Sequence, residues 1–111
     1  MIEERIGKIK SVKFGFGGYD DTQFGLGVSL GSDKDSWGVG SFDGYWSMKP
    51  TTNAQWNIED QDAGFALTCR NIMALLKDAK ITDVSDLAGV PVSVTFEGNV
   101  LKSWRILTEA L

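Results

Sequence analysis

The stretch Phe24-Gly25-Leu26-Gly27-Val28-Ser29-Leu30 alternates large apolar residues with glycine or serine. Because successive side chains of a β-strand point to opposite faces, it predicts a strand over 23–30 with one apolar face and one nearly bare face. Glycine within a strand costs roughly 0.5–1 kcal/mol relative to alanine. Its repeated use indicates that a ligand ring, a partner sheet or a tightly packed helix approaches the bare backbone.

The two neighbouring segments repeat this alternation in the same phase. Connections rich in glycine and aspartate at 17–22 and 31–36 predict tight turns, so the three strands form an antiparallel meander. The apolar members of the flanking strands are Val12, Phe14, Phe16, Trp37 and Val39, and the alternating glycines are Gly15, Gly17, Gly38 and Gly40.

An amphipathic helix is predicted from about 58 to 79, with Asn57 as its N-cap. Its apolar residues recur at spacings of three and four, which places them on one buried stripe. Cys69 belongs to this stripe, so we expect its thiol to be buried and inert. The stripe consists of Phe65, Cys69, Ile72, Leu76 and Ala79.

A short turn from Asp83 to Gly89 and a C-terminal hairpin complete the chain, with the hairpin turn at Glu97-Gly98-Asn99 and the last strand at 100–107. We predict an α+β fold, an antiparallel sheet of about five strands with the helix packed on one face. The helix is expected to cover the apolar face of the meander, formed by Phe14, Phe16, Leu26, Val28 and Trp37.

The composition argues against several function classes. The 111 residues carry a net charge of −4, whereas a surface for long nucleic acid needs clustered lysine and arginine. With no histidine and only Cys69, the chain lacks the usual zinc ligands and the base of a Ser-His-Asp triad. We expect one domain over 1–111, without a metal or cofactor. The charged start Met1-Ile2-Glu3-Glu4-Arg5 and the absence of a long apolar run predict no signal peptide, no membrane contact and a cytoplasmic location.

Sequence motifs favour binding over catalysis. Gly15-Phe16-Gly17-Gly18 superficially resembles a dinucleotide loop, but a strand follows it instead of a helix. The acidic residues at 20–21 and 59–62 are explained by turn formation and by the helix N-terminus. We therefore predict that the protein is not an enzyme.

Aromatic residues lie near the bare face of the predicted meander. Phe42 shares its strand phase with Gly38 and Gly40, while Tyr19 and Trp46 lie at strand ends, where their rings can stack on a planar ligand. The alternative is that these rings cap the hydrophobic core. The glycines predicted to allow close approach are Gly25, Gly27, Gly38 and Gly40.

Polar and cationic residues on the last strand suggest a phosphate contact. Arg105 is placed to bind phosphate with two parallel hydrogen bonds, and Asn99 and Lys102 to contact phosphate or ribose. Trp104 is included among the ligand-binding candidates. If Trp104 and Ile106 join the core, Arg105 faces the glycine side; the opposite phase and a salt-bridged surface arginine are the alternatives.

Two motifs together resemble a group of small phage proteins. One is Trp37-Gly38-Val39-Gly40-Ser41-Phe42-Asp43-Gly44; the other is Leu75-Leu76 followed by Asp86-Leu87-Ala88-Gly89-Val90-Pro91-Val92-Ser93-Val94. More distantly, the chain is similar to the first-described anti-Thoeris sponge family. It departs from that family at Gly40-Ser41-Phe42, where the sponge has Gly-Gly-Tyr, and at Thr108-Glu109-Ala110-Leu111, which replaces a cationic and aromatic ending.

The resemblance implies a viral homo-oligomer, a dimer or hexamer, that sequesters a cyclic ADP-ribose variant or a cyclic oligonucleotide without cleaving it. It implies a small anionic nucleotide as ligand and a pocket at a protomer interface. The alternative is a phage protein-interaction module that docks a host protein through the bare sheet face. A third hypothesis is an enzyme that acts on a cyclic nucleotide.

Overall fold

A computed structural model describes residues 1–111 as one five-stranded antiparallel sheet with a long helix on one face. This confirms the predicted α+β class, the meander and the C-terminal hairpin. The strands are β1 (Ile2–Gly17), β2 (Gln23–Ser32), β3 (Trp37–Trp46), β4 (Pro91–Glu97) and β5 (Val100–Ile106), and the helix is α1 (Ile58–Ala79). Short 3-10 turns lie at Tyr19–Asp21, Val84–Leu87 and Thr108–Ala110.

Strand β1 is the long central strand of the sheet, whose order is β3-β2-β1-β4-β5. Its two halves pair with different neighbours. Residues 8–17 pair with β2 and residues 2–8 pair with β4, so that Lys8 is opposite both Gly31 and Pro91. The strand was predicted to begin at residue 8; its first half is charged and lacks the alternation that identifies residues 12–17.

A β-bulge at Lys10 sets which side chains of β1 face the helix. Ile9 is opposite Leu30 and Ser11 is opposite Ser29, so that Lys10 is the extra residue. A bulge opposes two residues on one strand to one on the other. As a result, Ile9 and Val12 both face inward although they are three residues apart, and Ile9 is completely buried.

The core lies between α1 and the apolar sides of β2, β4 and β5. Trp37 closes one end of this core: its ring lies over Gly7 and packs edge-on against Phe96, with 5.6 Å between the ring centroids. The largest fully buried apolar side chains are Ile9, Leu30, Leu87, Val92, Val94 and Ile106.

The prediction that α1 covers Phe14 and Phe16 is wrong. Both rings are 54% exposed, although Leu26 and Val28 on the same face are buried as expected. The reason is the placement of the helix, which contacts β3, β2 and β5 and does not cover the far half of β1.

Helix α1 has the predicted boundaries. The Asn57 side chain accepts a hydrogen bond from the Asp60 backbone, and the Asp60 carboxylate accepts one from the Asn57 backbone. This capping box satisfies two of the free N–H groups at the helix start. The helix ends at Ala79, and its C-cap Lys80 adopts a left-handed conformation. No helix of the chain is both long and apolar enough to cross a bilayer.

The prediction that Cys69 is buried is also wrong, because its side chain is exposed. Thr68 is buried in its place and donates a hydrogen bond of 3.1 Å to the Asp43 carboxylate on β3. Asn71 donates to the other oxygen of Asp43 at 2.9 Å. These two contacts orient the helix so that Cys69 points to the edge of its buried face.

Candidate functional site

The face of the sheet opposite α1 carries glycines from three adjacent strands, and we call it the glycine face. Gly15, Gly25 and Gly44 lie in one row across β1, β2 and β3. The phase predicted for the three segments is therefore the phase in which they pair. The remaining glycines of this face are Gly17, Gly27, Gly31, Gly38 and Gly40.

Part of this bare surface is occupied by the Phe42 ring of the same chain. A β-carbon added at Gly17 would lie 2.5 Å from the Phe42 ring, and one added at Gly44 would lie 2.6 Å from it. At Gly27 the corresponding distance is 3.3 Å. The ring therefore lies against the sheet, and these three glycines make room for it.

The other glycines fall into two groups. At Gly25 and Gly31 the neighbouring backbone comes close. A β-carbon added at Gly25 would meet the Asp43 carbonyl, and one added at Gly31 would lie 2.7 Å from the Trp37 carbonyl oxygen. At Gly15, Gly38 and Gly40 no atom comes nearer than 3.6 Å to the added carbon. Only these last three leave the sheet surface open.

A shallow groove of about 410 Å³ crosses the glycine face beside Phe42. Its floor is the backbone at Gly40, with Gly27 at its border beneath the Phe42 ring, and it runs along the row formed by Ser11 and Ser29. The Phe42 ring and the Lys13 side chain belong to the adjacent row. The groove thus offers an aromatic ring and two hydroxyl groups above a floor without side chains, and Lys13, whose Cε lies 3.8 Å from a β-carbon built at Gly15, borders it.

Lysines make the β1 side of the glycine face positive. Lys8 lies 3.5 Å from the Asp33 carboxylate, and Lys10 also pairs with it. The hydrogen bond from Lys10, followed by the positive charges of Lys10 and Lys8, lowers the pKa of Asp33 below its ordinary value. Lys13 has no carboxylate within 4.0 Å. Its charge is therefore available to an anion in the groove.

The predicted stacking residues occupy the β3 side of this face. The Phe42 ring forms one wall of the groove. Trp46 lies opposite Gln23 and in the same row as Gly17, at the end of β3, where it is half-buried. Tyr19 lies on the connection between β1 and β2 and is 82% exposed.

The predicted phosphate-binding residues lie on β5. Arg105 is opposite Ser93 and faces away from α1, whereas Ile106 is buried and Trp104 packs against the core. Trp104 also lines a separate cavity of about 240 Å³ between α1 and the sheet, together with Asp43 and Asn71. Of the two strand phases left open by the sequence, the one with Trp104 and Ile106 inside is the phase observed.

Two of the predicted phosphate-binding side chains, Arg105 and Lys102, lie beside carboxylates of the same chain, and the third, Asn99, is exposed. The Arg105 guanidinium donates two hydrogen bonds of 2.9 Å to the Glu109 carboxylate. This pairing raises the pKa of Arg105 and lowers the pKa of Glu109 to about 2. Lys102 lies 3.8 Å from Glu97, and Asn99 is exposed at the hairpin turn.

Within one chain, the aromatic and cationic candidates are not brought together. Strands β3 and β5 are the two opposite edges of the sheet, with β2, β1 and β4 between them. Phe42 and Arg105 both face away from α1, whereas Asp43 and Trp104 of the same two strands face inward and line one cavity.

The groove residues Ser11, Lys13 and Ser29 were not among the sequence candidates. Their alternation with apolar residues marks them as outward-facing, but only the register of β1 with β2 places the two serines side by side.

No three side chains of His, Cys, Asp or Glu come together in a way that could hold a metal ion. Comparisons of the chain with known protein families, with curated proteins and with solved structures gave no match.

Proposed function

We propose that this protein is a phage-encoded sponge that binds and sequesters a cyclic nucleotide-type immune signal and so blocks host antiviral defence. The observation that carries the proposal is the groove on the glycine face, where Phe42, Lys13 and the two serines surround a bare floor. A base can stack on the ring, an ammonium group attracts phosphate, and hydroxyl groups can bind ribose or phosphate oxygens. The ligand class is a cyclic ADP-ribose variant or a cyclic oligonucleotide, and the place of action is the host cytoplasm.

Binding without turnover fits the chemistry of the groove lining. The lining includes no carboxylate, thiol or imidazole. General acid–base catalysis needs a positioned group that exchanges a proton near the working pH, and a serine nucleophile needs such a base beside it. The proposal therefore assigns no catalytic residue.

Association of copies is part of the proposal. Phe42 and Arg105 lie near opposite edges of the sheet, so one chain offers only half of the predicted contact set. A dimer or higher oligomer would supply the cationic edge of one protomer to the groove of another. In that arrangement the ligand competes with Glu109 for the Arg105 guanidinium.

Calorimetry with a panel of cyclic ADP-ribose variants and cyclic oligonucleotides tests the proposal. A ligand present at a hundredfold excess over its dissociation constant would stabilise the fold by about 2.7 kcal/mol, which thermal unfolding detects. Lys13→Ala is expected to weaken binding by about 1.5–3 kcal/mol, the range for a charge-assisted hydrogen bond. Arg105→Ala is expected to lose affinity in the same range, whereas Lys34→Ala, in the β2–β3 loop outside the groove, serves as the control. Equal affinity of the Lys13 and Lys34 variants would contradict the assignment of the groove.

A second candidate function is docking of a host protein through the glycine face and the adjoining edge of β3. Strand β3 is an edge strand, and Gly38 and Gly40 leave its outer surface open, as a β-type partner requires. Native mass spectrometry of the protein purified from an expressing host separates the two candidates. A sponge carries a nucleotide and releases it unchanged, whereas a docking module carries a polypeptide. Recovery of a cleaved nucleotide would instead favour an enzyme.

A further inference from the structure

Exposed apolar side chains gather on the helix side of the sheet, at the half of β1 that α1 leaves uncovered. Phe14 and Phe16 are each 54% exposed, and both pack against the Phe24 ring in T-shaped geometry, at centroid distances of 5.2 and 5.3 Å. We call this group the aromatic patch; its members are Phe14, Phe16, Cys69, Met73 and Val84.

The aromatic patch contains a hollow beside a projecting ring. The hollow has a volume of about 240 Å³ and only apolar lining residues, among them Phe14, Met73 and Val84. Phe16 lies on the same face of β1, about 7 Å further along the strand. A surface that carries a projection and a hollow side by side can match a second copy of itself across a twofold axis.

The backbone next to the patch is unpaired on one side. Strand β4 pairs with β1 only as far as Lys8, and Ile9 exchanges backbone hydrogen bonds with Gly89 and Val90. From Ser11 to Gly17 the side of β1 away from β2 has no strand partner. Two such edges can meet antiparallel about the same twofold axis, which is how edge strands commonly associate.

The exposed area of the chain is larger than the average for a folded monomer of its mass. The accessible surface is 7230 Å², whereas a folded monomer of 12.1 kDa is expected to expose about 6,000 Å². The radius of gyration is 15.2 Å, against about 13 Å for a compact chain of this length. The excess of about 1,200 Å² is sufficient for one standard interface, which buries about 800 Å² per partner.

We propose that a second copy of this chain covers the aromatic patch in a twofold-symmetric dimer. Phe16 of each protomer enters the hollow of the other, and the free halves of the two β1 strands lie antiparallel. The occupant is a second copy because one surface carries both an exposed ring and an apolar hollow, and the excess exposed area is enough for one interface of this kind. The groove lies on the opposite face, so this dimer leaves it open and does not depend on nucleotide binding.

Analytical ultracentrifugation of the full chain tests this proposal with Phe16→Ser and with Phe14→Ser/Phe16→Ser. The wild type is expected to sediment as a dimer. Loss of two buried Phe16 rings per dimer raises the dissociation constant by at least about 100-fold. Ile6→Ser is the matched control, because Ile6 is 50% exposed but lies on the other face of β1. Met73→Glu, at an exposed helix position within the patch, provides a second disruptive variant should the serine variants unfold.

Hydrogen exchange provides an independent measurement. Backbone amides between Lys13 and Gly17 that point away from β2 are expected to exchange slowly in the wild type and quickly in Phe16→Ser. A monomeric wild type, or a dimer that survives both Phe16→Ser and Met73→Glu, would overturn the proposal. A monomer that still binds nucleotide with Lys13-dependent affinity would overturn the dimer, and with it the contribution of Arg105 from a second copy, but would leave nucleotide binding by the groove standing.

Discussion

The ring of Phe42 on β3 reaches across β2 and rests on Gly17 of β1. A glycine at position 17 is what permits this contact, since any side chain there would occupy the place of the ring. The glycine face is therefore not uniformly bare: one part of it is filled by an aromatic side chain of the same molecule. The open part beside the ring is the groove, and Phe42 forms its wall.

Two glycines of the glycine face are expected to respond differently to an added methyl group. Gly31→Ala places a β-carbon 2.7 Å from the Trp37 carbonyl oxygen, whereas Gly40→Ala places it 3.8 Å from the nearest atom. Because backbone cannot move aside as a side chain can, Gly31→Ala should destabilise the protein by about 1–3 kcal/mol. Gly40→Ala should be neutral or slightly stabilising, since alanine loses less backbone entropy than glycine. Urea unfolding measures both, and equal midpoints would contradict the close backbone approach at Gly31.

A larger side chain at Gly40 should block the groove without unfolding the chain. Gly40→Leu projects from the groove floor, next to Ser29 and Phe42. Gly38→Leu is the matched control, on the same strand and face but outside the groove. We expect at least about a tenfold loss of nucleotide affinity for the first variant, equivalent to about 1.4 kcal/mol, and little change for the second. Calorimetry on both variants makes the comparison; a loss of affinity only in Gly38→Leu would place the ligand elsewhere on the face.

The ion pair between Arg105 and Glu109 predicts a pH dependence in the acid range. Hydrogen bonding from Arg105 lowers the pKa of Glu109 from 4.5 to about 2 in the folded chain. A carboxylate with a depressed pKa stabilises the fold above its unfolded pKa, and this contribution is lost as the pH falls toward the folded pKa. The stability difference between the wild type and Glu109→Gln should therefore be largest near neutral pH and shrink between pH 4.5 and about 2. The difference should be small and should decrease with added salt, because the pair is exposed.

Carbon NMR titration of the Glu109 carboxyl measures this pKa directly. In Arg105→Ala the pKa should return toward the ordinary value of a glutamate. An ordinary Glu109 pKa in the folded wild type would show that the ion pair does not persist in solution, and Arg105 would then be free for a phosphate.

The strands and the helix could be predicted from local patterns in the sequence. The glycine alternation predicts β2 and the adjoining parts of β1 and β3. The three- and four-residue spacing of Phe65 to Ala79 predicts the helix, and Asn57 as N-cap predicts where it begins. The first half of β1 was missed because its residues are charged and its pairing partner, β4, is distant in sequence. The inward position of Ile9 was also unpredictable, because the bulge at Lys10 interrupts the two-residue period.

Side-chain positions that depend on packing between elements could not be read from one sequence. Whether Phe14 lies under the helix or beside it is decided by where α1 crosses the sheet, and Asp43 fixes that crossing through Thr68. The composition of the candidate site also depends on how the strands are arranged, so it could not be predicted from the sequence. Residue types suggested that Phe42 and Arg105 act together, but the strand order places β3 and β5 at opposite edges.

The pairing of Ile2 with Glu97 affects how the chain folds while it is being synthesised. On the ribosome, the first half of β1 emerges long before β4 is translated, while the β1–β2–β3 meander can assemble at once. The first half of β1 therefore stays unpaired in the nascent polypeptide until β4 has been synthesised, and distant pairings of this kind slow folding and leave strand edges open to wrong partners. The first half of β1 carries Glu3, Glu4 and Arg5, and these charges disfavour aggregation while it is unpaired.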